Sequence, residues 1–142
     1  MHPIDKQAVV ITGASSGAGR AAALEFAKYR PALILASRNE ETLRQVAAEC
    51  EDLGAAVKVV VSDVSDPKSM INLANEANTW AKRIDTWINN AGVLAAGEFD
   101  HTPMEVHAQV VQTNLLGYMN GAHAVLPLFK KQRYGILINN IS

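Results

Sequence analysis

Three glycines carry the first chemical signal in this chain. Gly13, Gly17 and Gly19 stand in a Gly-x-x-x-Gly-x-Gly pattern, with Ala14, Ser15, Ser16 and Ala18 between them. Glycine allows a tight turn and a close approach of backbone N–H groups to an anion. A helix starting there would add its dipole, so the pattern suits a phosphate. It lacks the Gly-Lys pair of a P-loop and differs from the Gly-x-Gly-x-x-Gly of many dinucleotide folds. An ordinary strand-to-helix turn would use similar residues. Other chemical groups are sparse. His2, His101, His107 and His123 do not pair with one another or with a cysteine at metal-ligand spacing, so no metal site is expected. Cys50 sits among helix-spaced apolar residues and reads as a small buried hydrophobe. Lys130, Lys131 and Arg133 form a short basic cluster at a helix end, where they complement the helix dipole.

These residues need elements to position them. Apolar runs occur at Ala8 to Ile11, Ala32 to Ala36, Ala56 to Val61, Thr86 to Ile88 and Ile136 to Ile138. Continuous apolar runs, rather than alternation, mark strands buried on both faces. The intervening segments have helical spacing. Leu43, Val46, Ala47 and Cys50 form one stripe; Met70, Leu73, Ala74 and Ala77 form another. Asn39 and Asp66 are expected N-caps, with Pro67 at a first helical position and Gly54 at a stop. Gly17 to Tyr29 is alanine-rich, as a helix packed closely on a sheet would be. Strand and helix therefore alternate, which predicts an α/β fold with a doubly wound parallel sheet. The expectation is one incomplete domain over residues 1–142, truncated after the fifth strand.

Composition narrows the function. Of 142 residues, 49% are apolar and the net charge is -1, which argues against nucleic-acid binding through bulk positive charge. Val106 to Phe129 has no charged residue but carries several His, Gln and Asn, so a membrane span is not expected. One cysteine fits a reducing compartment, and the expected location is cytoplasmic.

Thr12-Gly13-Ala14-Ser15-Ser16-Gly17-Ala18-Gly19 resembles the cofactor fingerprint of the short-chain dehydrogenase/reductase family. Asp63-Val64, Asn89-Asn90-Ala91-Gly92, Asn114-Leu115-Leu116-Gly117 and Gly135 to Ser142 resemble further motifs, in the family's order. One departure is Ala18, where the family carries a larger aliphatic residue. The resemblance implies a Rossmann-like sheet and a nicotinamide dinucleotide at Gly13, Ser15, Ser16, Gly17, Ala18 and Gly19. It further implies that Asp63 and Val64 meet the adenine and that Asn90, Ala91 and Gly92 floor the ribose sites. Asn89 reads instead as a structural tie between strands.

The choice of cofactor rests on the second strand. A carboxylate at its tip would read the ribose 2′-hydroxyl of NAD(H). Here the strand ends Leu35-Ala36-Ser37-Arg38. Arg38 suits a 2′-phosphate and Ser37 adds a hydroxyl, so NADP(H) is predicted over NAD(H). A solvated surface role for Arg38 is the alternative.

The family's reaction is hydride transfer between the nicotinamide and a carbonyl or alcohol carbon. The resemblance gives Ser142 the substrate oxygen and makes Asn114 bend its helix and position a water. Asn114 also reads as a core amide satisfied by backbone. The family's proton donor is a tyrosine in a Tyr-x-x-x-Lys pattern. Tyr29, Tyr118 and Tyr134 are followed, at the position four further along, by Leu33, Ala122 and Ile138. The expectation is therefore an N-terminal portion ending at the serine to which the resemblance gives a catalytic role, inactive alone, of an oxidoreductase acting on a small carbonyl or secondary alcohol. The alternative is a non-catalytic NADP-binding sensor or scaffold, if the natural chain ends at Ser142. Val93 to Pro103 is a candidate substrate wall with Leu94 and Phe99 as contacts, although loop packing explains these residues equally well. The charge-free stretch suggests burial on more than one side and predicts a homodimer or homotetramer packed through it; burial under the C-terminal half of a longer protein is the alternative.

Overall fold

The apolar runs are the strands of one parallel sheet. In the computed structural model, which describes residues 2–141, they are β1 (Ala8–Thr12), β2 (Ala32–Ser37), β3 (Ala56–Val61), β4 (Thr86–Asn89) and β5 (Ile136–Asn139). Their order across the sheet is β3-β2-β1-β4-β5. β1 sits at the centre, with Ile11 opposite Leu35 on one side and Ile88 on the other. All five of its residues are buried.

Alternate residues of the central strands face opposite layers, and both layers are covered. Val9, Ile11, Leu33 and Leu35 pack with Ala23, Ala27, Leu43, Val46 and Cys50 from α1 (Gly17–Ala27) and α2 (Glu40–Asp52). Val10, Ile34, Ala36 and Trp87 pack with Met70, Leu73, Ala77, Val125 and Phe129 from the other layer. That layer holds α3 (Pro67–Ala81) and α5 (Gly117–Gln132); α4 (Met104–Val111), which leads into α5, buries none of its residues. Burial on both faces is why these strands read as unbroken apolar runs.

The helix caps match the sequence signals. The Asn39 side chain accepts from the Thr42 N–H at 3.1 Å, and Asp66 accepts from Lys68 N–H at 2.9 Å. Each satisfies a donor that the first turn leaves unpaired. Below the sheet, the buried Asp85 accepts from Ala8 N–H at 2.8 Å and pairs with Arg83, tying the start of β4 to the start of β1.

The long charge-free segment is interrupted by a π-helical turn, Gln112–Leu116, which joins α4 to α5 and contains Asn114. The described residues cover one side of the segment. Thr113, Gly117, Gly121, Val125 and Phe129 are buried, one stripe repeating every fourth residue. Val111, Leu115, Met119 and Leu126 remain exposed. The glycines in the stripe let α5 approach Val64 and the Trp87–Asn89 end of β4, where a Cβ would collide.

Candidate functional site

β1 bonds to β2 on one side and β4 on the other, and the helices that follow these strands cover opposite faces. The reversal opens a crevice at the carboxyl ends of β1 and β4, the place where open α/β sheets bind ligands. A cleft of about 1170 Å³ lies there. It brings together the turn after β1, the tip of β2, the loop after β3, the loop after β4 and one face of α4.

The turn after β1 is built around positive φ. Gly13 has φ +65°, and a Cβ there would stand 2.7 Å from the Ala91 Cα. Gly17 has φ +53° and opens into free space. Ser16 precedes α1 but its side chain makes no cap bond, and the first helical bond is Arg20 N–H to the Ser16 carbonyl at 3.0 Å. The first-turn N–H groups thus lack helical partners at a dipole's positive end, which fits a phosphate. Ser15, Ser16, Gly17 and Ala18 line the cleft; Gly19 is buried beneath it, against the Gly13 carbonyl.

A residue that sequence reasoning overlooked holds this turn in register with β4. The Thr12 hydroxyl donates to the Ile88 carbonyl and accepts from the N–H groups of Asn90 and Ala91 at 3.0 and 3.2 Å. The Asn90 side chain donates back to the carbonyls of Thr12 and Gly13. A hydroxyl ending the strand just before the first glycine was the available signal.

At the tip of β2, the Ser37 hydroxyl donates to the Asn39 carbonyl, while Arg38 is exposed and lines the cleft. No carboxylate at this tip answers it. Asp63 follows β3, the strand beside β2, and Ser65 donates to one of its carboxylate oxygens from both its hydroxyl and its N–H. The Ser65 hydroxyl holds the Asp63 carboxyl below its ordinary range, with its N–H and the charge of Arg38 helping against partial burial. Val64 is buried against Gly117, and its carbonyl accepts from Asn120.

The third wall begins at the end of β4. Ala91 and Gly92 face the cleft, and Gly92 lies beside Asn114. Both polar atoms of the Asn114 side chain are engaged by Val93: Oδ1 accepts its N–H and Nδ2 donates to its carbonyl, each at 2.8 Å. Asn114 therefore pins the loop after β4 onto the π-helical turn. Asn89 is a structural tie, accepting from Trp87 and donating to the Tyr118 carbonyl and to Asn139. Tyr118 donates to the Asn140 carbonyl, and Asn140 donates to Asn90, fastening the end of β5 to the cleft. Ser142 lies outside the described residues.

Leu94 and Phe99, the expected wall residues, both line the cleft. His107, Val110 and Val111 join them from α4. Sequence reading missed these three, although their i, i+3, i+4 spacing places them on one helix face. Glu98, Asp100 and His101 cluster on an exposed turn at the rim, with His101 Nδ1 2.9 Å from Glu98.

The fold and this cleft define the class: a doubly wound nucleotide-binding α/β domain with its site at the switch point. Comparison with known proteins narrows the class. Residues 7–142 match the family model described as short chain dehydrogenase. The chain is 38% identical to sulfoacetaldehyde reductase 2 of Chromohalobacter salexigens, covering 94% of this chain and 53% of that protein. It is 37% identical to the NADP-dependent 3-hydroxy acid dehydrogenase of Schizosaccharomyces pombe, covering 98% and 55%. The structure superposes on NAD+-bound xylitol dehydrogenase with a TM-score of 0.93 at 27% identity, over 97% of this chain and 54% of that one. The chain belongs to the short chain dehydrogenase family and has the fold of its NAD(P)-binding oxidoreductases. It spans about half the length of the curated relatives it matches.

Proposed function

We propose that this chain is the dinucleotide-binding portion, over residues 1–142, of an NADP(H)-dependent oxidoreductase that moves a hydride between its cofactor and a small carbonyl or secondary alcohol. The observation that carries the reading is the pairing of two anion-seeking features in one cleft: an uncapped α1 amino terminus above Gly13 and Gly17, and Arg38 at a β2 tip without a carboxylate. The turn would hold the pyrophosphate, and Arg38 with Ser37 would hold the 2′-phosphate. Asp63 would accept from the adenine through the carboxylate oxygen that Ser65 leaves free. Asn90, Ala91 and Gly92 would lie under the riboses. Bound here, the nicotinamide supplies or accepts the hydride.

The catalytic set is proposed to be shared with the rest of the protein. Ser142 would hold the substrate oxygen, and Asn114 would position the loop at Val93. The 142 residues contain no Tyr-x-x-x-Lys, so the proton donor would come from outside them. The exposed apolar face formed by Leu115 of the π turn and Met119 and Leu126 of α5 would be covered in a homodimer or homotetramer. The proposed location is cytoplasmic. No described helix is long and apolar enough to cross a membrane.

The test is the full-length protein. Calorimetry should show tighter binding of NADPH than of NADH, and absorbance at the nicotinamide band should fall when a carbonyl panel is added. Tight NADPH binding without oxidation across the panel would favour a sensor or scaffold. Preference for NADH would reject the cofactor assignment.

A further inference from the structure

The wall that follows β4 has a charge pattern that bears on the substrate, given the proposed hydride-transfer reading on which this inference rests. Residues 84–129 contain no lysine or arginine. Within the wall the exposed ionisable groups are the carboxylates of Glu98, Asp100 and Glu105 and the single imidazole of His101, which lies 2.9 Å from Glu98. Among described residues lining the cleft, Arg38 is the only lysine or arginine, and it stands at the tip of β2 with β1 between it and the wall. Two strand spacings are about 10 Å, roughly a Debye length in physiological salt, so Arg38 is a poor counter-ion for anything at the wall.

The wall's contact surface is apolar. Leu94 is 91% exposed and Phe99 71% exposed, despite facing the cleft. Phe99 does not swing freely as a lone side chain would. Its ring stacks on His107 with centroids 4.4 Å apart and planes at 28°, and the His107 Nε2 lies 3.4 Å from the Phe99 carbonyl. The 3-10 turn that carries Phe99 (Phe99–His101) is closed by Thr102, whose hydroxyl donates to the Glu98 carbonyl at 2.9 Å. A held aromatic face beside Leu94 and Val111 offers flat apolar contact, while flanking carboxylates repel negative charge.

We infer that this wall selects an uncharged, apolar carbonyl or alcohol with a ring body, and rejects carboxylates, sulfonates and phosphates. Phe99 is the specificity-determining contact, and Glu98 with Asp100 supply the repulsion. Discrimination of this kind combines attraction for one ligand with a penalty for its competitor.

The test uses a matched pair that differs by one charge: 1-phenylethanol and 4-(1-hydroxyethyl)benzoate. Each is titrated calorimetrically into the full-length protein saturated with NADPH, which cannot take a hydride from an alcohol, so the result does not depend on turnover. The neutral alcohol should bind at least about tenfold more tightly, the scale that one well-placed contact or repulsion gives. Phe99→Ala should weaken the neutral alcohol about tenfold, and Phe99→Leu should restore part of that loss. The double variant Glu98→Gln, Asp100→Asn should narrow the gap between the pair by strengthening the anion alone. Equal binding of both, binding of neither, or preference for the carboxylate overturns the inference. NADPH titration with these same proteins tests the cofactor reading separately, because none of the three residues belongs to its proposed contacts.

Discussion

Replacing Arg38 by alanine isolates the 2′-phosphate contact. Arg38 is exposed and makes no ion pair among the described residues, so its removal should leave the fold unchanged. A charge-assisted hydrogen bond contributes about 1.5–3 kcal/mol. Solvent at this tip places the value near the lower end, about 2 kcal/mol, which is about 30-fold in affinity. NADH lacks the phosphate and should bind the variant as it binds the parent. Its adenine end should also be undisturbed: Ser65, more than Arg38, keeps Asp63 ionised. Arg38→Asp should go further and invert the preference, because a carboxylate repels the phosphate and accepts from the free ribose hydroxyl. The assay is calorimetry of NADPH and NADH with parent and variants, repeated at high salt. Screening should shrink the parent's preference, since an exposed pair weakens as the Debye length contracts. A loss below about threefold for NADPH, or a parallel loss for NADH, would refute the reasoning.

Other perturbations probe the rest of the site. Gly13→Ala puts a side chain at φ +65° and against the Ala91 backbone, so it should cost more than about 1 kcal/mol, read as a drop of several degrees in the melting temperature, and abolish NADPH binding. Ser65→Ala removes the main support of the Asp63 carboxylate. Because that pKa is lowered in the fold, its stabilisation is present above the ordinary carboxylate range and is lost as pH falls through the lowered value. The variant should therefore lose stability at neutral pH relative to the parent, and the difference should vanish at strongly acidic pH in urea melts. Cys50 is buried in the α2 layer, and burial pushes its thiol up to about 11. A thiol reagent at pH 8 should label it only after denaturant is added; rapid labelling of native protein would show that the layer between α1 and α2 opens readily.

Much of the fold was legible because its signals are local or periodic. Val9 to Ile11 and Leu33 to Leu35 are apolar without alternation, and only a sheet covered on both faces accepts such strands. Asn39 and Asp66 announce helix starts because the unpaired donors of a first turn need a short polar acceptor. A bend at Asn114 was expected from the resemblance alone; the π-helical form of the turn at Gln112–Leu116 and the bonds from Asn114 to Val93 are long-range features that the spacing of residues 112–116 does not report. The exposed face that α5 shares with the π turn is a different case: lack of charge suits a face to a partner, but it does not say which chain supplies one.

The site was legible as a set of positions and less so as a set of bonds. Asn114, read either as a group facing ligand or as a core amide, spends its side chain on the Val93 backbone, while Asn90 donates to the carbonyls of Thr12 and Gly13 and accepts from the Asn140 side chain. These bonds have a common consequence. Thr12 and Asn90 lock the glycine turn to the end of β4, Asn114 locks the next loop to the π turn, and Tyr118 with Asn140 locks the end of β5 to Asn90. The turn proposed for the pyrophosphate and the strand end proposed for the catalytic serine are thus braced through the same asparagine. A rigid frame of this kind places reacting groups before any ligand arrives, which is where orientation lowers a barrier most. Asn90 can therefore matter to the reaction without touching the reacting atoms, as the residue whose amide and carbonyl oxygen hold the two halves of the cleft at one distance.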